Sequence, residues 1–374
     1  MDDKKILIVI GEHRPFTDRQ RSAIESFCEC YNTTVYSNHL SNFSGKYTVK
    51  GNLLVSCGGL KQLKPDILIT IGGQTGDYPL YGNLQGLCGA EHWRVSEDGD
   101  VVDTYGYLRK IFECPDYFFF EKLKRTAMSA SHEYFDAWKN MNAKMNYDVD
   151  LPFSNMYIAQ QLYRHIPKNS IMNFAILNSL RSWSYFPFDS TIQGYSNVSA
   201  FGIDGCNSML IGESMNTSEK CFIVTGDLAF FYDMNSLGIR HIQNNLRIIL
   251  INNGGGAEFK IMTHSWNNNI NVDDYISANN HNGSAKGWAE DCGFYYLSAK
   301  DKEEFDSVKM KLVEKCDRPI LLEVFTQEED ECVAMNSLVQ TNTLKSETGK
   351  FKSGIKRMLG DKCVDFLKQT VKKF

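Results

Sequence analysis

The sequence predicts an α/β protein built of two domains, each an open, mostly parallel sheet with helices on both faces. Three observations lead there. Apolar runs at Lys5–Gly11, Asp66–Gly72, Ile171–Leu177, Cys221–Thr225, Ile248–Ile251 and Pro319–Phe325 are separated by segments of helical periodicity. Several of these runs stop at turn-forming residues, as at Gly72-Gly73, Asn178-Ser179, Gly226-Asp227 and Asn252-Asn253. The length, 374 residues, is enough for two domains with a sizeable core.

Taken in order, Lys5–Gly11 reads as a first strand and Phe16–Cys30 as a helix that turns Ile24, Phe27 and Cys28 inward. Thr34–Tyr36, Asp66–Gly72 and Glu91–Val95 complete a small α/β domain over residues 1–120. Gly72, Gly73 and Gly76 could cradle a phosphate or simply form a loop at a sheet edge. They do not match G-x-G-x-x-G, and no GKS or GKT follows. Residues 121–150 are expected to be a helical linker. Residues 151–330 form the second domain, opening with a helix at Asn155–Arg164. A turn at Gly202–Gly205 leads into another helix. Residues 331–374 read as a basic helical tail, with Ile355, Met358, Leu359, Cys363, Leu367 and Val371 at roughly helical spacing.

Composition narrows the class. Hydrophobic residues make up 43% and charged residues 23%, as in a soluble globular protein. A net charge of −5 gives no general electrostatic case for nucleic acid. The eleven cysteines show no paired or zinc-type spacing, which points to reduced thiols and a cytoplasmic location. The start does not read as a signal peptide. No run approaches the roughly 20 apolar residues of a membrane span.

The chemistry concentrates in residues 221–256. Two predicted strands end at Gly226-Asp227 and at Asn252-Asn253, followed by Gly254–Gly256. Neighbouring parallel strands would put those ends side by side, where open α/β folds bind ligands. Asp227 offers a carboxylate, Asn253 an amide oxygen and the glycines their carbonyls. Such oxygens suit Mg²⁺ shared with a phosphate. The plain alternative is an ordinary β-α-β unit with turns at its strand ends.

These residues resemble the GDG…NN motif of the thiamine-diphosphate (ThDP) enzymes. Within that superfamily the chain is similar to the menaquinone-pathway MenD family. Asp227-Leu228-Ala229 stands for its GDLS, Asn178–Leu180 for its NSL turn, Gly202–Gly205 for its GIDG, and Pro319–Phe325 for its last strand. The resemblance covers roughly residues 1–330. It implies a central-type domain followed by the ThDP-binding domain. It implies that Asp227, Asn253 and the Gly255 carbonyl hold Mg²⁺, and that Asn178, Ser179, Leu180, Gly226, Leu228 and Ala229 line the diphosphate. Ile203 would be the apolar wedge beneath the cofactor. Glu258 and His264 are candidates for proton transfer; Glu258 could equally be a surface residue at a helix start, and His264, met with Trp266 and His281 at the Asn-rich loop Ser265–Asn282, an incidental polar residue.

Two departures shape the functional expectation. The pyrimidine-binding domain that opens such enzymes has no counterpart here, so a separate partner chain and an oligomer are expected. The family grips a carboxylated substrate with arginines where this chain has Trp183 and Val198, with Arg181 near the first. An extended segment there would turn Arg181 to the same face as Trp183. The expected function is the diphosphate-binding subunit of a ThDP- and Mg²⁺-dependent 2-oxo acid decarboxylase or carboligase. The alternatives are the MenD-type synthase activity itself and a non-catalytic binding protein on the same fold.

Overall fold

The computed structural model describes residues 1, 3–87, 89–125, 131–257 and 281–343. The chain divides into two compact units, Met1–Asn146 with Gln193–Ser199, and Tyr147–Ile192 with Ala200–Phe374. The fold is α/β, with two six-stranded parallel sheets.

The first unit runs β1 (Ile6–Ile10), α1 (Asp18–Cys30), β2 (Thr33–Tyr36), β3 (Thr48–Val49), α2 (Asn52–Ser56), α3 (Gly59–Gln62) and β4 (Ile67–Ile71). It continues with α4 (Tyr78–Gln85), β5 (Glu91–Ser96), β6 (Leu108–Glu113), α5 (Asp116–Leu123) and α6 (Glu133–Asn142). Its sheet order is β3-β2-β1-β4-β5-β6. β1 is buried throughout because helices cover both faces of a parallel sheet. α1 starts at a capping box, Thr17 with Gln20, and buries Ile24, Phe27 and Cys28 as its periodicity predicts. Residues 121–150 hold the end of α5 and all of α6, whose Tyr134 and Trp138 are buried.

Strand order reverses between β1 and β4, the place where such sheets bind ligands. Here the backbone itself fills the crevice. Glu12 N–H donates to Gln74 O at 2.9 Å and Gly73 N–H to Glu12 O at 2.8 Å. A Cβ on Gly11 would lie 1.8 Å from Gly73 O. The glycines at this edge therefore allow two loops to meet.

The following loop ends at Asp77, a 6% exposed carboxylate that caps α4 through Leu80 N–H at 3.1 Å. The Tyr36 hydroxyl and Asn52 Nδ2 also donate to it. Burial pushes its carboxyl up to about 6.

The second unit runs α7 (Asn155–Leu162), β7 (Ile171–Phe174), α8 (Asn178–Ser184), α9 (Cys206–Ser214), β9 (Cys221–Gly226) and α10 (Asp227–Tyr232). β10 (Leu246–Asn252), α11 (Lys286–Asp291), β11 (Tyr295–Ala299), α12 (Lys302–Val308), β12 (Ile320–Phe325) and α13 (Glu328–Asn342) follow. The strand order of this sheet is β11-β12-β10-β9-β7-β8, where β8 (Gln193–Ser196) belongs to the stretch grouped with the first unit. β9, β10 and β12, its central strands, are almost wholly buried. The expected tail begins within α13, and residues 344–374 lie outside the described residues. No described helix is long and apolar enough to cross a membrane. The described cysteines are free thiols.

Asp77→Ala is expected to destabilise the first unit by about 2–4 kcal/mol, since it removes a helix cap and strips Tyr36 and Asn52 of a buried acceptor. Hydrogen exchange at the β1 and β4 amides reads the change. Unaltered protection there would contradict this role.

Candidate functional site

β9 and β10 pair in parallel with Gly226 opposite Ile251. That register carries Asp227 to the side of the 253–255 loop. Asp227 is the first residue of α10 and is 2% exposed. Its Oδ2 accepts N–H groups from Asn253 at 3.1 Å, Gly254 at 2.8 Å and Gly255 at 3.1 Å. Its Oδ1 accepts Leu228 N–H at 2.7 Å. Gly254 has φ +82°, a left-handed conformation that a side chain would strain. Burial raises the Asp227 carboxyl above its ordinary range, opposed by His281, whose Nε2 lies 3.2 Å from Oδ2, and by the amide donors.

A second buried carboxylate holds this loop. Glu323 lies within β12, fully buried, opposite Leu250 of β10. It accepts from Asn252 Nδ2 at 2.8 Å, Ser284 Oγ at 2.7 Å, Tyr296 OH at 2.7 Å and Ala285 N–H at 3.2 Å. Asn252 passes the constraint on. Its Nδ2 also donates to Gly283 O at 2.9 Å, and its Oδ1 accepts Gly254 N–H at 3.3 Å. Among the described residues, four donors surround a carboxylate that would be costly to bury alone. Beside the loop opens a cavity of about 440 Å³, lined in part by Asn253, His281, Phe325, Thr326 and Glu328.

The other predicted residues sit at neighbouring strand ends. Gly226 closes β9, and Leu228 and Ala229 stand in the first turn of α10. Asn178, Ser179 and Leu180 form the first turn of α8, just beyond β7. The residue before them, Leu177, has φ +68° and ψ −123°. Non-glycine residues adopt that geometry only when their surroundings impose it, at about 1–3 kcal/mol. Ile203 is half-buried and packs on the core cluster that includes Ala229 and Phe230. Leu180 is a core residue, 2% exposed. Glu258, His264 and Trp266 lie outside the described residues.

The α8 turn is held by Glu331 of α13, which is 3% exposed. Its Oε1 accepts Asn155 N–H at 2.9 Å and the Thr326 hydroxyl at 3.0 Å, while its Oε2 accepts Asn178 Nδ2 at 3.3 Å. Burial pushes this carboxyl up to about 7, against the pull of those donors. Asn155 Oδ1 also accepts Trp183 Nε1–H at 2.9 Å. Trp183 is fully buried and Val198 is 2% exposed, so both are core side chains. The segment carrying Arg181 and Trp183 is helical, which corrects the extended face expected for it. Two residues apart on a helix diverge by roughly 200°.

Sequence reasoning missed Glu323, Glu331 and the proximity of His281 to Asp227. A glutamate inside the apolar strand Pro319–Phe325 was a usable signal for the first. Glu331 was concealed in an acidic run, Gln327–Glu331, of the kind that usually faces solvent. His281 lies 54 residues from Asp227, and nothing local in the sequence pairs them.

No family model matches the chain. The curated relatives it matches include 2-succinyl-5-enolpyruvyl-6-hydroxy-3-cyclohexene-1-carboxylate synthases of several bacteria. The synthase of Bacteroides thetaiotaomicron is 34% identical over 267 residues, 71% of this chain and 48% of the relative. That of Phocaeicola vulgatus is 32% identical over 271 residues, 72% of this chain and 48% of the relative. That of Flavobacterium psychrophilum is 28% identical over 361 residues, 93% of this chain and 63% of the relative. The chain is homologous to these synthases and spans about half the length of the relatives first matched.

The raised Glu331 carboxyl has a definite sign. A folded-state value above the unfolded one favours the fold at low pH, and this contribution is lost as pH rises through about 7. The stability of the parent in urea titrations is therefore expected to fall between about pH 4.5 and 8, and Glu331→Gln to flatten part of that slope. Identical pH profiles for the two proteins would remove Glu331 as its source.

Proposed function

We propose that this chain is the diphosphate- and metal-binding part of a ThDP- and Mg²⁺-dependent enzyme that decarboxylates a 2-oxo acid or joins it to an acceptor. The observation that carries the proposal is the meeting of Asp227 with the Asn253–Gly255 loop at neighbouring strand ends, in a chain homologous to the synthases above. The donor set fits the metal. A carboxylate, an amide oxygen and a backbone carbonyl are hard oxygens of the kind Mg²⁺ takes, with phosphate oxygens and water as further ligands.

ThDP, when bound, supplies the carbanion-stabilising chemistry by which a 2-oxo acid loses its carboxyl group. The chain's residues bind and orient. Asp227, the Asn253 side chain and the Gly255 carbonyl hold the cation. The Ser179 hydroxyl and the backbone at Leu228 and Ala229 receive the diphosphate, with Asn178, Leu180 and Gly226 shaping the turns around it. Ile203, resting on the unit's core, supplies an apolar support. Glu258 and His264 are proposed as proton carriers near the reacting carbon. A separate chain provides the pyrimidine-binding domain, and the working enzyme is at least a dimer.

A second function has its own support. The three relatives cited share the name 2-succinyl-5-enolpyruvyl-6-hydroxy-3-cyclohexene-1-carboxylate synthase, which favours that activity. Against it, Trp183 and Val198 are buried side chains where the resemblance expects carboxylate-binding arginines.

Titration calorimetry with ThDP and Mg²⁺, for the chain alone and with the pyrimidine-domain chain, is expected to show Mg²⁺-dependent binding. No heat of binding in either condition would sink the proposal. Asp227→Ala should abolish that binding and leave the circular dichroism spectrum unchanged; affinity equal to the parent would refute the site. Turnover of 2-oxoglutarate with isochorismate, set against other 2-oxo acids, separates the two activities.

A further inference from the structure

Asp227 is buried, and a buried carboxylate needs compensation by donors or positive charge. Among the described residues, its Oδ2 has four nitrogen neighbours. Three are the backbone N–H groups of Asn253, Gly254 and Gly255, and the fourth is His281 Nε2 at 3.2 Å. The imidazole is held in place from several sides. Gly283 N–H donates to its Nδ1 at 3.1 Å, so the neutral ring carries its proton on Nε2, the nitrogen beside Asp227. The ring meets Phe231 edge-on, with centroids 5.5 Å apart. The His281 backbone N–H donates to Gly254 O at 3.3 Å. Gly283 is itself tied through Asn252 to Glu323.

We infer that His281 is a built-in substitute for the cation, and that imidazole and divalent metal compete for the Asp227 carboxylate. The inference rests on the placement of the metal at Asp227 proposed above. Two features favour competition over a role for His281 as a ligand. A metal-bound histidine donates its second ring N–H to an acceptor. Here Nδ1 faces the Gly283 N–H, a donor, so Nε2 cannot bind a metal without breaking that bond. The second feature is how each group is attached. Three of the groups around Oδ2 belong to the backbone of the loop, whereas the ring can turn away about its own torsions. The metal-free carboxylate thus keeps an imidazole nitrogen 3.2 Å from Oδ2, and the cation must displace that contact to enter.

The test uses the full chain at one pH, with Mn²⁺ as the probe and free Mn²⁺ read by electron paramagnetic resonance. His281→Ala removes the competitor. His281→Phe removes it while keeping a ring against Phe231, which guards against a packing artefact. Both variants are expected to bind Mn²⁺ about tenfold more tightly than the parent, from loss of one competing polar contact to a charged group. In the parent, Mg²⁺ should shift the His281 ring signals in NMR, and in Asp227→Ala it should not. If both His281 variants bind Mn²⁺ no more tightly than the parent while Asp227→Ala loses the ion, competition is overturned and the metal site stands. If Asp227→Ala binds like the parent, or none of the four proteins binds Mn²⁺, the metal site and the competition fall together.

Discussion

The second unit is arranged around one electrostatic constraint: the Asp227 carboxylate sits 2% exposed and must find donors. The parallel pairing of β9 with β10 meets that need. With Gly226 opposite Ile251, the chain leaving β10 presents three successive amides to Oδ2. A shift of one residue along the ladder would carry Asp227 away from those amides and turn the shifted strand's side chains to the opposite face. The same register that packs the apolar strands therefore builds the polar site. The left-handed Gly254 lets the loop curl around the carboxylate.

Two glutamates act as posts on either side of this arrangement. Glu323 fastens Asn252 and through it Gly254 and Gly283. Glu331 fastens the start of α7, Asn178 and the end of β12. Each is buried, and each is surrounded by donors. Such networks make a single geometry favourable, because a partly satisfied one is costly. The strained Leu177 next to Asn178 is what such an over-determined turn can hold.

The first unit treats the equivalent sheet edge differently. Its β1 and β4 loops bond to each other, and Gly11 and Gly73 approach too closely for any side chain at Gly11. Its buried carboxylate, Asp77, serves to cap α4 and to satisfy Tyr36 and Asn52. Glycines and an aspartate at the end of a parallel strand thus have different uses in the two units. What differs is whether the adjoining loops close on each other or leave oxygen donors beside a cavity.

Much of the fold was legible in the sequence. Apolar runs marked β1, β4, β7, β9, β10 and β12 because strands buried on both faces must be apolar along their length. The capped, periodic α1 was equally plain. β6 was not, since its half-exposed Leu108–Glu113 carries no such run. At the site, Asp227, Asn253 and the glycines were visible because turn chemistry and metal chemistry use the same residues at strand ends. The partnership of Asp227 with His281, and the anchoring by Glu323 and Glu331, were decided only by tertiary structure. Local sequence encodes periodicity and turns, which depend on neighbours a few positions away. Compensation of a buried charge depends on which distant donors the packed sheet brings within about 3 Å, and no local pattern carries that distance.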